Sequence, residues 1–403
     1  MKTSSISNIL IASLAVVLTQ SCNQERGMEI TVVNPCNYAR EGEMVEVNAD
    51  SVLNALGSSY IYVTDSLLNE IPSQITYDGK LIFRASVTPD AQSTYYIYPS
   101  DSVHSYDTIA VGRIYPERAD DIAWENEYVG FRAYGPGTQS KGEKAFGYDI
   151  FFKHPSDEPM LERLYATEIS PVTWQKVDSL RAIAPKLAEE YIETFSYHID
   201  HGLGMDCYAV GPTLGAGVAA VVDNDTICFP WCYRDAEILD NGPLRFTVKL
   251  TFSPTKIGDD SMVTEHRTVS LDAGSHLNRC LVSYEGLSNR REFVVGFPIR
   301  DESRAIVGND QSTLVYSDPT QGTDNGKAML GVIVDGETNY KENENHHLLH
   351  GNIAPDDTLA YYWGFAWDRA DIKSQAEWVD YVNVRKENIA QPLKVSYKPV
   401  HIR

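Results

Sequence analysis

Apolar and polar residues alternate along most of this chain with a period of two. The clearest run is Phe246-Thr247-Val248-Lys249-Leu250-Thr251-Phe252. Such alternation predicts antiparallel sheet with one face on a core and the other in water. Similar runs at 28–33, 44–47, 60–63, 81–85 and 94–98 are separated by Asn, Asp, Gly and Pro turns, and predict a small β layer over residues 27–110. Longer runs at 128–133, 148–153, 208–210, 217–222, 244–252, 264–271, 279–284, 293–299, 328–334, 358–366 and 393–397 predict a main β domain over residues 111–403. The expected class is all-β: a large antiparallel β-sandwich or supersandwich with a small amino-terminal layer and a few short helices.

The period changes to that of a helix in two regions. Trp174, Val177, Leu180 and Ile183 form an apolar stripe that Thr173 can cap. Pro185 cannot continue that helix, so it is expected to open a second segment bearing Leu187, Tyr191 and Phe195. A further helix is expected over 373–382.

The first residues read as a secretion signal. Lys2 is followed by an apolar run at 9–18, too short to span a bilayer as a mature helix, and then by Leu18-Thr19-Gln20-Ser21-Cys22. That junction resembles a bacterial lipoprotein box, so residues 1–22 are expected to be the signal and Cys22 the lipidated amino terminus. No later stretch is long and apolar enough to cross a membrane. Membrane attachment, in the bacterial envelope, is expected only through this anchor.

Composition narrows the partners. The formal net charge is −22, which repels nucleic acid and argues against DNA or RNA as partners. It does not exclude an acidic glycan, because local arginine pairing outweighs a distant screened field. Beyond Cys22 the cysteines are Cys36, Cys207, Cys228, Cys232 and Cys280, an odd number that leaves at least one thiol free. Cys228 and Cys232 are close enough in sequence for a local bridge, though Pro230 constrains it. Zinc is disfavoured, because there is no CxxC pair with histidines at finger spacing.

Four dense polar and aromatic strings stand out, at 115–126, 131–136, 196–208 and 238–245. A plain β scaffold has no packing need for so much Arg, Asp, His and Trp between short strands. Sugar and uronate sites use that mixture: aromatic faces stack on pyranose rings, imidazoles and carboxylates move protons, and guanidinium groups bind carboxylates. Tyr197, His198, Asp200 and His201 are the expected proton-transfer groups, on a loop that Gly202 and Gly204 let turn tightly. Arg118 and Arg132 are the expected carboxylate binders, and Trp124, Tyr134, Asp206 and Arg245 complete the expected substrate surface. The alternative reading of His198 and His201 is that of buried polar groups tying one loop together. Glu117, Asp120, Asp121 and Glu125 leave three readings open: an acid/base pair for glycoside hydrolysis, a calcium site, or ion pairs with Arg118 and backbone caps. Calcium apart, no cofactor is expected. Glu344 to His350 is either a metal string, with His346 and His350 one helical turn apart, or an exposed or locally packed loop. Trp363, Phe365 and Trp367 share one strand face and are a sugar platform or core.

These strings, together with Pro72-Ser73-Gln74, Leu271 to Ser275, Asn278-Arg279 and Tyr361-Tyr362-Trp363-Gly364, resemble the bacterial family catalogued as domain of unknown function 4861. The resemblance covers most of the mature chain. It implies a secreted or lipid-anchored protein of Bacteroidetes type, associated with pectin and algal polysaccharides. It also implies a β supersandwich related to galactose mutarotase and many polysaccharide lyases. Residues and resemblance together predict action on an acidic, uronate-containing polysaccharide, by a lyase or a glycoside hydrolase. A non-catalytic glycan-binding lipoprotein and an epimerase or mutarotase-like enzyme are the alternatives.

Overall fold

The computed structural model describes residues 25–402 except Thr323, so the expected signal and Cys22 lie outside the described residues. The fold is all-β, in several antiparallel sheets. The strand ladders are antiparallel, and a single isolated bridge, Tyr148 to Gly215, is parallel. Among the described residues no helix is long and apolar enough to cross a membrane.

The main core lies between two walls. One is a nine-stranded sheet containing strands Arg245–Thr251, Asp260–Asp272, Leu277–Glu285, Leu359–Trp367 and Lys327–Val334. The other is made of two five-stranded sheets, one from strands between Val111 and Met205, the other including Ala219–Asp223, Arg291–Pro298 and His346–Ile353. Aromatic rings fill the space between: Tyr148 stacks on Trp363 at 4.0 Å, and Phe131 meets Trp363 edge-on at 4.9 Å. Trp363, Phe365 and Trp367 are all buried here, so they are core and not an exposed sugar platform. Trp124 belongs to the same core: it is fully buried and donates to Asn278 Oδ1 at 2.8 Å, which corrects the expectation that it stacks on substrate.

The sequence at 344–350 forms neither a loop nor a helix. Glu344 and Asn345 are the turn, with left-handed φ of 45° and 60°, and His346–Ile353 is a buried strand. Four residues along a strand span about 13 Å, which separates His346 from His350. All five cysteines among the described residues are free, so the local bridge between Cys228 and Cys232 is absent.

The amino-terminal layer is itself a small sandwich. Its core includes Met28, Ile30, Val45, Phe83 and Ile97. Strand Lys394–Ile402 pairs with Glu25–Val33 along its full length, so the layer takes its outer strand from the far end of the sequence. The bounds read from the sequence therefore divide the chain differently from its packing. Gln74 fastens this layer to the main sheet, accepting from the amides of Leu244 at 3.0 Å and Arg245 at 2.8 Å. Arg245 bridges Glu46 of the layer, at 2.8 Å, and Asp272 of its own sheet, at 2.5 Å. Its guanidinium is thus engaged between the two layers, away from the expected histidine site.

Helices Pro171–Ile183 and Pro185–Glu193 form as the periodicity predicts, each with proline in its first turn. The first begins at Pro171, two residues ahead of the expected cap. Helix Gln375–Ala390 opens on a capping box of Ser374 and Glu377 and runs well past 382, with Trp378, Val382 and, in the extension, Ile389 packed in a cluster with Leu277, Met329 and Ile333.

One core carboxylate has a testable consequence. Asp318 is buried, with Arg300 Nε 3.9 Å away. Burial pushes its carboxyl up to about 7 against the pull of Arg300. The unfolded value is near 3.9, so the folded state holds the extra proton between these limits. Its stability contribution is full below about 4 and lost as pH rises to 7. Asp318→Asn is expected to raise the melting temperature at pH 8 and leave it nearly unchanged at pH 4. An equal shift at both pH values would refute this.

Candidate functional site beneath the helical cap

The five-stranded sheet that carries the first two motif strings has two unlike faces. Register fixes them, because side chains alternate and Arg132 pairs with Ala123 on one side and Asp149 on the other. Ile122, Trp124, Phe131 and Phe152 point into the main core. Asp121, Glu125, Arg132, Asp149 and Lys153 point the opposite way, yet all are buried. What covers them is the segment from 160 to 206. Met160, Leu161, Leu164, Tyr165 and Tyr197 pack with Tyr115 and Phe151 as a separate small core over this face.

Two ion-pair systems result. Glu125 pairs with Lys153 at 2.9 Å and accepts from the amides of Met160 at 2.8 Å and Leu161 at 2.7 Å. A carboxylate there caps helix Leu161–Glu168, which has no side-chain cap of its own. Glu125 is therefore a structural anchor and not half of an acid/base pair. In the second system Arg132 Nη2 joins Asp149 and lies 3.2 Å from Asp206, while the hydroxyl of Tyr134 donates to Asp149 at 3.0 Å. Nε and Nη1 of Arg132, Oδ2 of Asp121 and the hydroxyl of Tyr165 are buried without a hydrogen-bond partner among the described residues. Burial and the charge of Asp149 push the Asp206 carboxyl up to about 7, with Arg132 opposing. Burial likewise raises Asp121. Arg132, Tyr134 and Asp206 thus form one internal network, and Arg132 is occupied by protein carboxylates.

Above this network lies a more open group. Arg118 Nη2 is 3.4 Å from the hydroxyl of Tyr197, which is itself almost buried. The His198 ring is exposed and lies 4.4 Å from the Tyr197 ring. Nδ1 of His198 is 2.8 Å from the Asp206 carbonyl, an acceptor, so Nδ1 carries the proton and Nε2 is the free basic nitrogen. The Asp206 amide donates back to the Tyr197 carbonyl at 2.8 Å, closing the loop on itself. Gly204 permits that closure. Its φ is 136°, and a Cβ there would lie 1.9 Å from the Phe152 carbonyl oxygen. Glu168 completes the group, accepting from the Tyr197 amide at 3.4 Å. Burial pushes its carboxyl above the usual range, against the pull of that amide, His198 and Arg118.

The expected residues are thus sorted. Arg118, Tyr197, His198, Arg132, Tyr134, Asp206 and Asp121 come together in two connected tiers. His201 is exposed on the same loop and makes no hydrogen bond, ion pair or ring contact among the described residues. Asp200 pairs with His154 at 2.7 Å and accepts from the amides of Gly202 and Gly204. Burial pushes its carboxyl up, but His154 and these amides hold it below the usual range, so Asp200 serves as a loop clasp. Glu117 pairs with Arg113 at 2.7 Å and not with Arg118. Asp120 takes a left-handed φ of 57°, and its carbonyl accepts from Tyr233. The carboxylates of Glu117, Asp121 and Glu125 therefore have three different sets of partners, and Asp120 contributes its carbonyl. Among the described residues no group of three or more potential ligands is arranged to hold a metal ion. Sequence reading missed Asp149, Lys153, His154 and Glu168. The first two were detectable as lone charges in an otherwise apolar strand, Asp149-Ile150-Phe151-Phe152-Lys153; Glu168 gave no local signal.

Fold and site together define an antiparallel β-sandwich protein with one charged sheet face roofed by helices. The chain belongs to the family described as domain of unknown function DUF4861, whose profile matches residues 32–395. It is 25% identical over 409 residues to the uncharacterized protein P7 of Formosa agariphila, covering 95% of this chain and 97% of that protein. Among solved structures it is similar to an α-mannosidase from Enterococcus faecalis, at 9% identity and a TM-score of 0.49, over 94% of this chain and 46% of that one. A glycosyl hydrolase family 38 protein from the same organism gives 9% identity and a TM-score of 0.49, over 92% and 47%. The chain spans about half the length of these two solved structures.

Proposed function

We propose that this protein acts on an acidic polysaccharide, cleaving beside a uronate by β-elimination. The observation that carries the reading is the His198 ring, exposed and fixed through Nδ1 so that Nε2 is free, beside a tyrosine whose hydroxyl meets Arg118. In this reaction a base removes the C5 proton, the C4–O bond breaks, a C4–C5 double bond forms, and the departing oxygen gains a proton. The uronate carboxylate must be neutralised so that charge can build on it. Arg118 is the cation at hand, Nε2 of His198 the base, and Tyr197 and Glu168 the groups able to return a proton. Lipid anchoring at Cys22 is part of the same proposal.

The test is purified protein on a panel of pectic and algal uronates, followed by ultraviolet absorbance and by reducing ends. Unsaturated product that disappears in His198→Ala supports the reading. Reducing ends without unsaturation would replace elimination by hydrolysis. Neither signal, with binding retained, would place the protein among non-catalytic glycan binders.

A further inference from the structure

The amino-terminal layer, the nine-stranded sheet and helix Gln375–Ala390 enclose a groove of about 600 Å³. None of the residues of the site beneath the helical cap lines it. Besides Arg245, which is paired with Glu46 and Asp272, each of the three walls contributes one cation: Lys80 from the layer, Arg279 from the sheet and Arg385 from the helix. Register puts Arg279 directly opposite Ser270 on one neighbour and Tyr362 on the other. Cross-strand partners of this kind lie about 5 Å apart, so a hydroxyl, a guanidinium and a half-buried aromatic ring form one row on the groove floor.

The charges of the groove are unequally engaged. Of its acids, Glu43 is held by Arg40 and by Asn388 at 3.0 Å. Glu46 and Asp272 are held by Arg245, and Asp78 accepts from the Thr76 hydroxyl at 2.5 Å. The side chains of Lys80, Arg279 and Arg385 have no ion pair or hydrogen bond among the described residues. Nε of Arg385 is buried with no acceptor among the described residues. Three unmatched cations around one cavity are unexpected in a chain of net charge −22, where acids to pair them are abundant. A buried guanidinium donor without an acceptor is costly unless something else supplies one.

We infer that this groove is a second binding site, for an anionic oligosaccharide, with a carboxylate or sulfate seated among Lys80, Arg279 and Arg385 and a sugar ring against Tyr362. Guanidinium pairs and one aromatic face are the recognition chemistry for such a ligand. The choice of a saccharide over another anion rests on the proposed function; the site's charge does not.

The experiment is calorimetric titration of the full chain carrying His198→Ala, so that ligand is not consumed. The probes are an oligogalacturonate, a sulfated galactan oligosaccharide and a neutral galactan oligosaccharide of equal length. At least one anionic probe is expected to bind and the neutral one not, and the anionic probe that binds assigns carboxylate or sulfate. Adding Arg279→Ala, an exposed position, or Arg385→Ala is expected to weaken that binding at least tenfold and to flatten its salt dependence. The inference is overturned if neither anionic probe binds, or if both arginine variants bind as tightly as their parent. Turnover measured on the chain with native His198 keeps the two proposals apart. Arginine-dependent binding without turnover removes the elimination site and keeps the groove, and turnover with arginine-independent binding does the reverse.

Discussion

Replacing Arg132 by methionine is expected to lower stability by about 3–5 kcal/mol, the usual result when one member of a buried ion pair is removed. Arg132 is the cation between Asp149 and Asp206, all three are buried, and Asp121 lies in the same charge system. Methionine fills the space and leaves two carboxylates without their cation. Since whole domains are stable by only about 5–15 kcal/mol, the variant should melt far below the parent or fail to accumulate folded. Acid should narrow the gap, because protonating the stranded carboxylates removes the uncompensated charge. The triple change Arg132→Met, Asp149→Asn, Asp206→Asn should recover much of the loss for the same reason. Denaturant unfolding at pH 5 and pH 8 measures both effects. A single variant as stable as the parent at pH 8 would show that water, not the arginine, neutralises this face.

His198→Ala has the opposite profile. Its ring is exposed and its one hydrogen bond is to a carbonyl, so truncation should move the melting temperature by a few degrees at most. On the proposed mechanism it removes the proton acceptor, and turnover should fall roughly 10²–10⁴-fold, the range for a general base. Tyr197→Phe should lose a comparable share of activity with a small stability cost, since only the 3.4 Å contact to Arg118 is given up. His201→Ala is the internal control on the same loop: without a hydrogen bond, ion pair or ring contact among the described residues, it affects activity only if His201 itself meets substrate. A His198→Ala protein that keeps its activity per folded molecule would return the catalytic question to Glu168 and the buried carboxylates.

What the sequence announced and what it concealed follow from range. Strand Arg245–Thr251 is legible because alternation is local, and Pro185 marks a helix start because its ring acts on its own backbone. The helix over 161–168 is not legible: its amino-terminal cap is Glu125, a residue far away in sequence. The string at 344–350 misled for a related reason. Three histidines suggest ligands or surface, but here His350 is buried beside Glu292 and His347 beside Tyr340, partners that only strand pairing supplies. The first motif string shows the same limit from the side of function. Its carboxylates are close in sequence, yet a left-handed turn at Ala119 and Asp120 sets Glu117 and Asp120 apart from strand Asp121–Glu125, whose two acids share one face and have different partners. Density of charged residues therefore located the site region, and only the sheet register distributed the roles.

The pairing of Glu25–Val33 with Lys394–Ile402 sets an order of events during synthesis. The earlier strand leaves the ribosome roughly 360 residues before its partner, at a pace of about 5–20 residues per second. For that interval one of its edges is unpaired, and such edges recruit other chains. The main sandwich has its strands in hand by Trp367 and can form while the small layer waits. A chain cut after Ala390 should therefore keep the large core and present a permanently open edge. Its fault would be sticking to its neighbours, not losing its fold.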